Sequence, residues 1–173
     1  IPVSIRDQPT ELVFKLMDLQ TKGRLARADI TNEIGVAIAP DFESHGLQYG
    51  IDIQAFLINE NTNGLSDLLL PSLQEQFEIT LTDSSGAKVS KTLLGLRQGQ
   101  PLSAKPRPIR LEPVSVPVRD AVVSARFDLR AYFDIRTPGD YLLTYRQRLY
   151  RVTPAGKLEP LIFPPVTLPV KIR

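Results

Sequence analysis

The chain has no cysteine, no tryptophan, one histidine and one methionine in 173 residues. Without cysteine there can be no disulfide, no thiolate metal site and no cysteine nucleophile. That absence chooses no compartment. His45 lies in the polar stretch Asp41-Phe-Glu-Ser-His-Gly46, with no second ligand at metal spacing. It reads as a solvated side chain rather than a ligand or base. A nucleophilic triad needs such a base, and no Gly-x-Ser-x-Gly element accompanies it. No phosphate-binding loop or dinucleotide fingerprint occurs. Apolar runs such as Leu68-Leu69-Leu70 fall far short of the roughly 18 residues of a membrane helix. The expectation is a chain without catalysis, cofactor, metal or transmembrane segment.

What is present is β-patterned. Hydrophobic residues at 42% and charged residues at 23% are ordinary for a globular domain, so global disorder is not expected. The chain is long enough for one buried core. Fifteen prolines against ten glycines, clustered in the second half, call for extended or edge-like chain there. Proline every few residues from Gly95 to Val118 could also dock onto a proline-binding domain. Protection of an exposed sheet edge explains the same residues without a partner.

Period-two alternation marks the strands, because side chains two apart share one face. From Ser124 the chain reads SARFDLRAYFDI, then RTPGD, then YLLTYRQRLY to Tyr150. Phe127, Leu129, Ala131, Phe133 and Ile135 fall on one side of a strand, with Arg126, Asp128, Arg130, Tyr132 and Asp134 on the other. After Pro138-Gly139-Asp140, Tyr141, Leu143 and Tyr145 oppose Leu142, Thr144, Arg146 and Arg148. Earlier, Ile34, Val36 and Ile38 alternate. So do Tyr49, Ile51, Ile53, Ala55 and Leu57, whose opposite face is polar at Asp52 and Gln54 until Phe56 and Ile58 intrude. Glu75 to Leu96 reads as a hairpin turning at Asp83-Ser-Ser-Gly86. That loop lacks the oxygen ligands and closing Glu of a calcium loop, so it reads as a plain turn. Leu65 to Leu73 is apolar but irregular, a bridging strand or a short helix. Val166, Leu168, Val170 and Ile172 form the last strand, with Pro169 marking an edge. Glu11 to Leu19 is ambiguous: Leu12, Phe14 and Leu16 alternate, whereas Leu12, Leu16 and Leu19 would make a helical stripe. A strand is the reading taken.

Two carboxylates, Asp128 and Asp134, share the polar face of the central strand. Six residues of strand separate them by about 20 Å, too far for either glycosidase geometry. Nucleic-acid binding would need several stacking aromatics in a basic groove. Five Tyr and seven Phe, mostly required by the core, are too few.

Short strands separated by turn signals argue an antiparallel β-sandwich. The central pair resembles the end of an immunoglobulin-like or fibronectin-type sandwich. Pro138-Gly139-Asp140-Tyr141 is similar to a tyrosine corner, whose hydroxyl returns to backbone upstream. The segment is similar to those of immunoglobulin-like domains in exported bacterial proteins, and Thr82–Val89 resembles the hairpin between their middle strands. Lacking a Cys pair and a core Trp, the chain is not an antibody-type domain. The resemblance implies an all-β, immunoglobulin-like sandwich over residues 34–173, with an N-terminal extension or docking arm over residues 1–33. It carries no single function, since this fold hosts many.

Function is therefore expected as a non-enzymatic structural or binding module, making protein–protein contact in a larger assembly. The alternative is a ligand-binding or inhibitor module using loops at one end of the sandwich. Ile1 is not an initiator methionine, and a mature exported, extracytoplasmic protein is the expectation drawn from it. Ile1, Val3, Ile5 and Phe14 put more apolar side chains in the extension than a solvated tail should carry, so they are candidates for contact with a protein partner or another copy. Arg146 and Arg148 join them. Residues 1–86 hold 5 Lys/Arg against 13 Asp/Glu, and residues 87–173 hold 16 against 6. The basic half could meet an anionic surface. Neutralisation by acidic strands lying beside basic ones is the preferred reading.

Overall fold

The computed structural model describes residues 11–30, 34–41, 46–60, 64–98 and 110–173. Among them, helix α1 (Glu11–Thr21) precedes strands β1 (Ala26–Ile30), β2 (Ile34–Pro40), β3 (Asp52–Asn59), β4 (Leu65–Pro71) and β5 (Phe77–Asp83). Short helix α2 (Leu93–Arg97) follows, then β6 (Leu111–Val116), β7 (Asp120–Asp128) and helical turn α3 (Leu129–Tyr132). The chain closes with β8 (Gly139–Val152), β9 (Leu158–Ile162) and β10 (Val166–Ile172). His45, Ile1, Val3 and Ile5 lie outside the described residues.

The fold is all-β and its strand pairings are antiparallel. One sheet runs β1-β2-β3-β7. The other is built on β8, whose fourteen residues serve four neighbours. Its first part pairs with β5 on one side and β10 on the other. Its last part pairs with β9 and β4, and β4 in turn pairs with β6. The two sheets face each other across one core that joins Val36, Ile53 and Phe127 to Phe77, Leu143, Tyr145 and Leu168. Alternation along β8 and β10 places every second residue in that core. Pro113 and Pro169 sit in β6 and β10, each of which pairs with a single neighbour, where a missing N–H costs least.

The Glu11–Leu19 strand is overturned: the segment is α1. Leu16 and Leu19 are buried with Ala37, Ala39, Phe56, Ile58 and Ala121, and Leu12 packs against them. The helix thus covers the outer face of the first sheet, which is why Phe56 and Ile58 break the polar alternation and why β2 is buried along its whole length. A stripe at i, i+4 and i+7 fits that flat apolar face, whereas a strand could present only one side of its pleat. Gln54, expected in water, is also covered, with its amide donating to Asp41 at 2.5 Å and Lys15 donating to it at 3.3 Å. Gly23, at φ 66°, ends α1. Its N–H donates to Gln20 O at 3.0 Å and the Arg24 N–H donates to Leu19 O at 2.8 Å, the paired bonds of a Schellman motif.

The long central strand is also shorter than expected. β7 stops at Asp128, whose Oδ1 accepts from the amides of Ile51 at 2.8 Å and Arg130 at 3.0 Å. That N-cap starts α3, so Tyr132 and Phe133 are both buried and Ala131 is exposed. Alternation could not accommodate two adjacent core residues. Asp128 and Asp134 therefore do not share a strand face. Tyr49, read as a core residue of β3, lies outside the strand and is 65% exposed. The hairpin after β5 is real only near its turn: one bridge joins Thr82 to Lys88. Thr92 then caps α2 by accepting from the Gly95 amide at 3.1 Å. Leu65 to Leu73 resolves as a strand.

Candidate functional site

Besides Gln54, four buried amides shape the molecule, and none was visible in the sequence pattern. The Gln147 amide donates to Gln76 O at 3.2 Å and Arg148 O at 2.8 Å, and Gln147 Oε1 accepts from the Tyr145 hydroxyl. Gln76 donates to Ser124 O at 2.7 Å, tying the entry to β5 to the facing β7. Gln98 donates to the carbonyls of Leu73 and Phe77, both at 3.0 Å. Asn59 donates to Pro117 O at 3.0 Å and so fixes the β6–β7 turn against β3. Burial around Tyr145 pushes its phenol pKa far up, so these groups hold backbone and do not exchange protons. Each amide finds backbone carbonyl partners, in strands as well as in turns, and so is not buried unpaired.

The surface that stands out is the β8–β9 arm. Beyond Arg148 the strand β8 leaves β5 and turns back through Thr153-Pro-Ala-Gly156 into β9. The Thr153 N–H donates to Lys157 O at 2.8 Å, and Gly156 takes φ 74°. In register, Val152 lies opposite Leu158, Tyr150 opposite Pro160 and Arg148 opposite Ile162. By the pleat these six side chains share one face. Leu149 and Leu161, on the other, belong to the core. The shared face looks outward: Val152 is 37%, Leu158 49% and Ile162 79% exposed. It continues onto Leu69 of β4 and Pro113 of β6, which stand in register beside Tyr150. Among the described residues β9 pairs only with β8, so its other edge is open.

Charge enters this face at one end, at Arg148 opposite Ile162. Arg148 pairs with Glu78 of β5, and Arg151 with Asp67 of β4 at 3.0 Å. Both join a basic residue of the second half to an acidic residue of the first. Arg146 is exposed opposite Glu78. Phe14 is 57% exposed on the outer side of α1.

At the opposite end lies the corner. Tyr141 is 7% exposed. Its hydroxyl donates to Thr137 O at 2.6 Å and lies 3.1 Å from Thr137 Oγ1. Pro138 and Gly139 are exposed and carry the chain between them. Tyr141→Phe removes the donor and leaves the Thr137 carbonyl to water, so a loss of about 1 kcal/mol is expected in urea unfolding. An unchanged midpoint would remove the corner from the stabilising contacts. A polar crevice of about 410 Å³ beside it is lined by Asp83, Asp134, Arg136 and Tyr141. Its carboxylates are already engaged. The Ser85 hydroxyl holds the Asp83 carboxyl below the usual range, and Arg136 does the same for Asp134.

A groove of about 480 Å³ runs under α1, with Leu16, Met17 and Ile58 as apolar wall and the Arg27–Glu60 pair, 2.8 Å apart, at its rim. The Arg27 hydrogen bond lowers the Glu60 carboxyl pKa. Arg119, also at the rim, holds φ 48° in the β6–β7 turn. Among the described residues no three His, Cys, Asp or Glu side chains are grouped to hold a metal. No described helix is long and apolar enough to cross a membrane.

No family model matches the chain, and no curated protein matches it. Two solved structures share its general β-rich build. The crystal structure of the C-terminal domain of wzt is 15% identical, with TM-score 0.37, covering 80% of this chain and 70% of that one. The X-ray structure of a Northeast Structural Genomics Consortium target is 16% identical, with TM-score 0.42, covering 81% and 88%.

Proposed function

We propose that the chain is a non-enzymatic, extracytoplasmic module that makes protein–protein contact in a larger assembly, with a second copy as the partner met by the β8–β9 arm. The observation that carries this reading is the outward apolar face of Val152, Leu158 and Ile162 beside an unpaired strand edge. An edge strand that pairs with its own copy across a two-fold axis gives both rows of backbone groups a partner. The new ladder also sets the outward side chains of one β9 beside those of the other, which shields part of each from water. Lys157, immediately before β9, and Glu159 on it are both exposed and carry opposite charges two residues apart, so an antiparallel copy can meet each with the other's complement. The extracytoplasmic assignment and the immunoglobulin-like kinship rest on the resemblance of the corner segment to exported bacterial domains.

Ile162→Asp tests the reading, because a side chain already in water can be changed without touching the core. In sedimentation equilibrium, the wild-type chain should gain mass with concentration up to about 100 μM, a range suited to weak interfaces. Ile162→Asp should stay monomeric with an unchanged melting midpoint. A wild-type chain that remains monomeric throughout removes the self-assembly reading.

A second reading, ligand binding, is favoured by the groove under α1. Its volume falls within the range of small-molecule sites, about 300–1,000 Å³. Filling it with Met17→Trp would then block a ligand without disturbing the arm.

A further inference from the structure

We propose that the crevice beside Arg24 binds an oxyanion, the carboxylate or phosphate group of a ligand. The Schellman turn that ends α1 delivers Arg24 to the junction of the two sheets, where it lines a crevice of about 300 Å³ with Pro40, Tyr141, Pro169, Val170 and Lys171. Its Nε and Nη2 are shut off from solvent and have no hydrogen-bond partner among the described residues. These two nitrogens share one edge of the guanidinium. Their N–H bonds run parallel, the fork that takes two oxygens of a carboxylate or phosphate at once.

Arginine keeps its charge at any working pH, and a buried charge without a partner is strongly unfavourable. Proximity to the C-terminus of α1 is a milder explanation, since cations are favoured there. It does not satisfy the fork: neither nitrogen is bonded to a helix carbonyl among the described residues, and those of Leu19 and Gln20 already accept from the Arg24 and Gly23 amides. Lys171 supplies a second cation at the crevice. Its contact with Asp140 is loose, at 3.9 Å, and both side chains are more than half exposed. Asp140 also lines the crevice, so an anion entering here would meet two cations and one carboxylate that is more than half exposed, with apolar walls of proline and valine that raise the strength of each contact. The covered edge must turn toward the crevice as the anion enters, so binding orders this corner of the molecule.

The site is separate from the β8–β9 face and stands or falls apart from it. The full chain would be melted at fixed ionic strength in chloride, in phosphate and in acetate, with the Arg24 Nε–H followed by nitrogen-15 NMR. At tenfold excess over Kd, a rise of about 3–5 °C is expected in at least one of the two oxyanions relative to chloride. The Nε–H resonance should shift along the same titration. Phosphate alone identifies a phosphate ligand and acetate alone a carboxylate; either supports the site. Arg24→Met should abolish the rise and, in chloride, melt no lower than the wild type, because it removes an uncompensated charge. Lys171→Gln, a surface change, should weaken binding a few-fold while leaving the fold intact. A rise equal in chloride, a rise that survives in Arg24→Met, or no response in either oxyanion overturns the proposal. An Arg24→Met chain that melts far below the wild type in chloride overturns it too, since the guanidinium is then already satisfied within the chain.

Discussion

Phe77→Ala is expected to lower the free energy of unfolding by about 3–5 kcal/mol, the cost of removing a fully buried ring and leaving a cavity. Phe77 is wholly inaccessible and stands at the centre of four aromatic residues from four different elements. Its ring stacks on Phe127 of β7 with centroids 4.7 Å apart, and lies 5.3 Å from Tyr145 of β8 and 6.1 Å from Tyr132 of α3. Phe127 and Tyr132 meet edge to face at 5.8 Å. Loss of the central ring therefore loosens three others and the contact between the two sheets. The two sheets have no room to collapse, because β7 and β8 are fixed by their own ladders. Equilibrium urea unfolding measures the effect, and Phe77→Leu should recover most of it. A change below about 1 kcal/mol would show that the cluster relaxes freely.

Gly95→Ala is expected to follow closely, at about 2–3 kcal/mol, through overpacking rather than loss. A Cβ at Gly95 would sit 2.0 Å from the Tyr132 carbonyl oxygen and 2.9 Å from its carbon. Both are backbone atoms and cannot rotate away. The Tyr132 carbonyl is itself pinned, accepting from the Thr92 amide at 3.0 Å, while the Thr92 hydroxyl donates to Ala131 O at 2.5 Å. Helix α2 must then lift from α3 and give up both bonds. A fall of about 4–10 °C in the melting midpoint is the readout, at the few degrees per kcal/mol of a chain this long. Gly86→Ala provides the contrast. Nothing lies within 4 Å of its added methyl, but φ is 82°, so only the backbone penalty of about 1–2 kcal/mol applies.

The sandwich itself was legible because both sheets write their faces into the sequence at period two. Val166 to Ile172 and the stretch from Tyr141 could each be assigned as strands from alternation alone, whereas their pairing came from the structure. Failure came where a local signal competed with that period. Asp128 satisfies two amides and starts a helical turn, and alternation through Leu129, Ala131 and Phe133 hid it. Leu12, Leu16 and Leu19 fit both periods, and only the apolar outer face of the first sheet decides between them. Phe56 and Ile58 carried that information as an anomaly on an otherwise polar face. Buried glutamines were out of reach, since a glutamine that holds loop carbonyls reads in sequence like one in water. Arg24 is similar: its significance lies in which contacts are missing. Of the surface residues proposed from sequence, Arg148 lies on the β8–β9 face, Arg146 lies nearby, and Phe14 stands apart on α1. Ile162, the most exposed of the large hydrophobics among the described residues, lies in a short segment, Leu158–Ile162, whose few residues carry no clear alternation.

The fourteen residues of β8 also impose an order on biosynthesis. Among the described residues β5 has no ladder partner except β8, and β9 and β10 follow later in the chain. A ribosome making this protein from its N-terminus can complete every pairing of the first sheet once residue 128 has emerged. The second sheet must wait for residues 139–152. During that interval the inner face of the first sheet lacks β8 across from it, and Phe77 waits without its strand, while β4 has only β6. At about 5–20 residues per second the gap lasts about 1–5 seconds. For that time the nascent chain is a half-sandwich, and truncation anywhere before Val152 would make the state permanent. Quality control would then recognise the protein by which half it lacks.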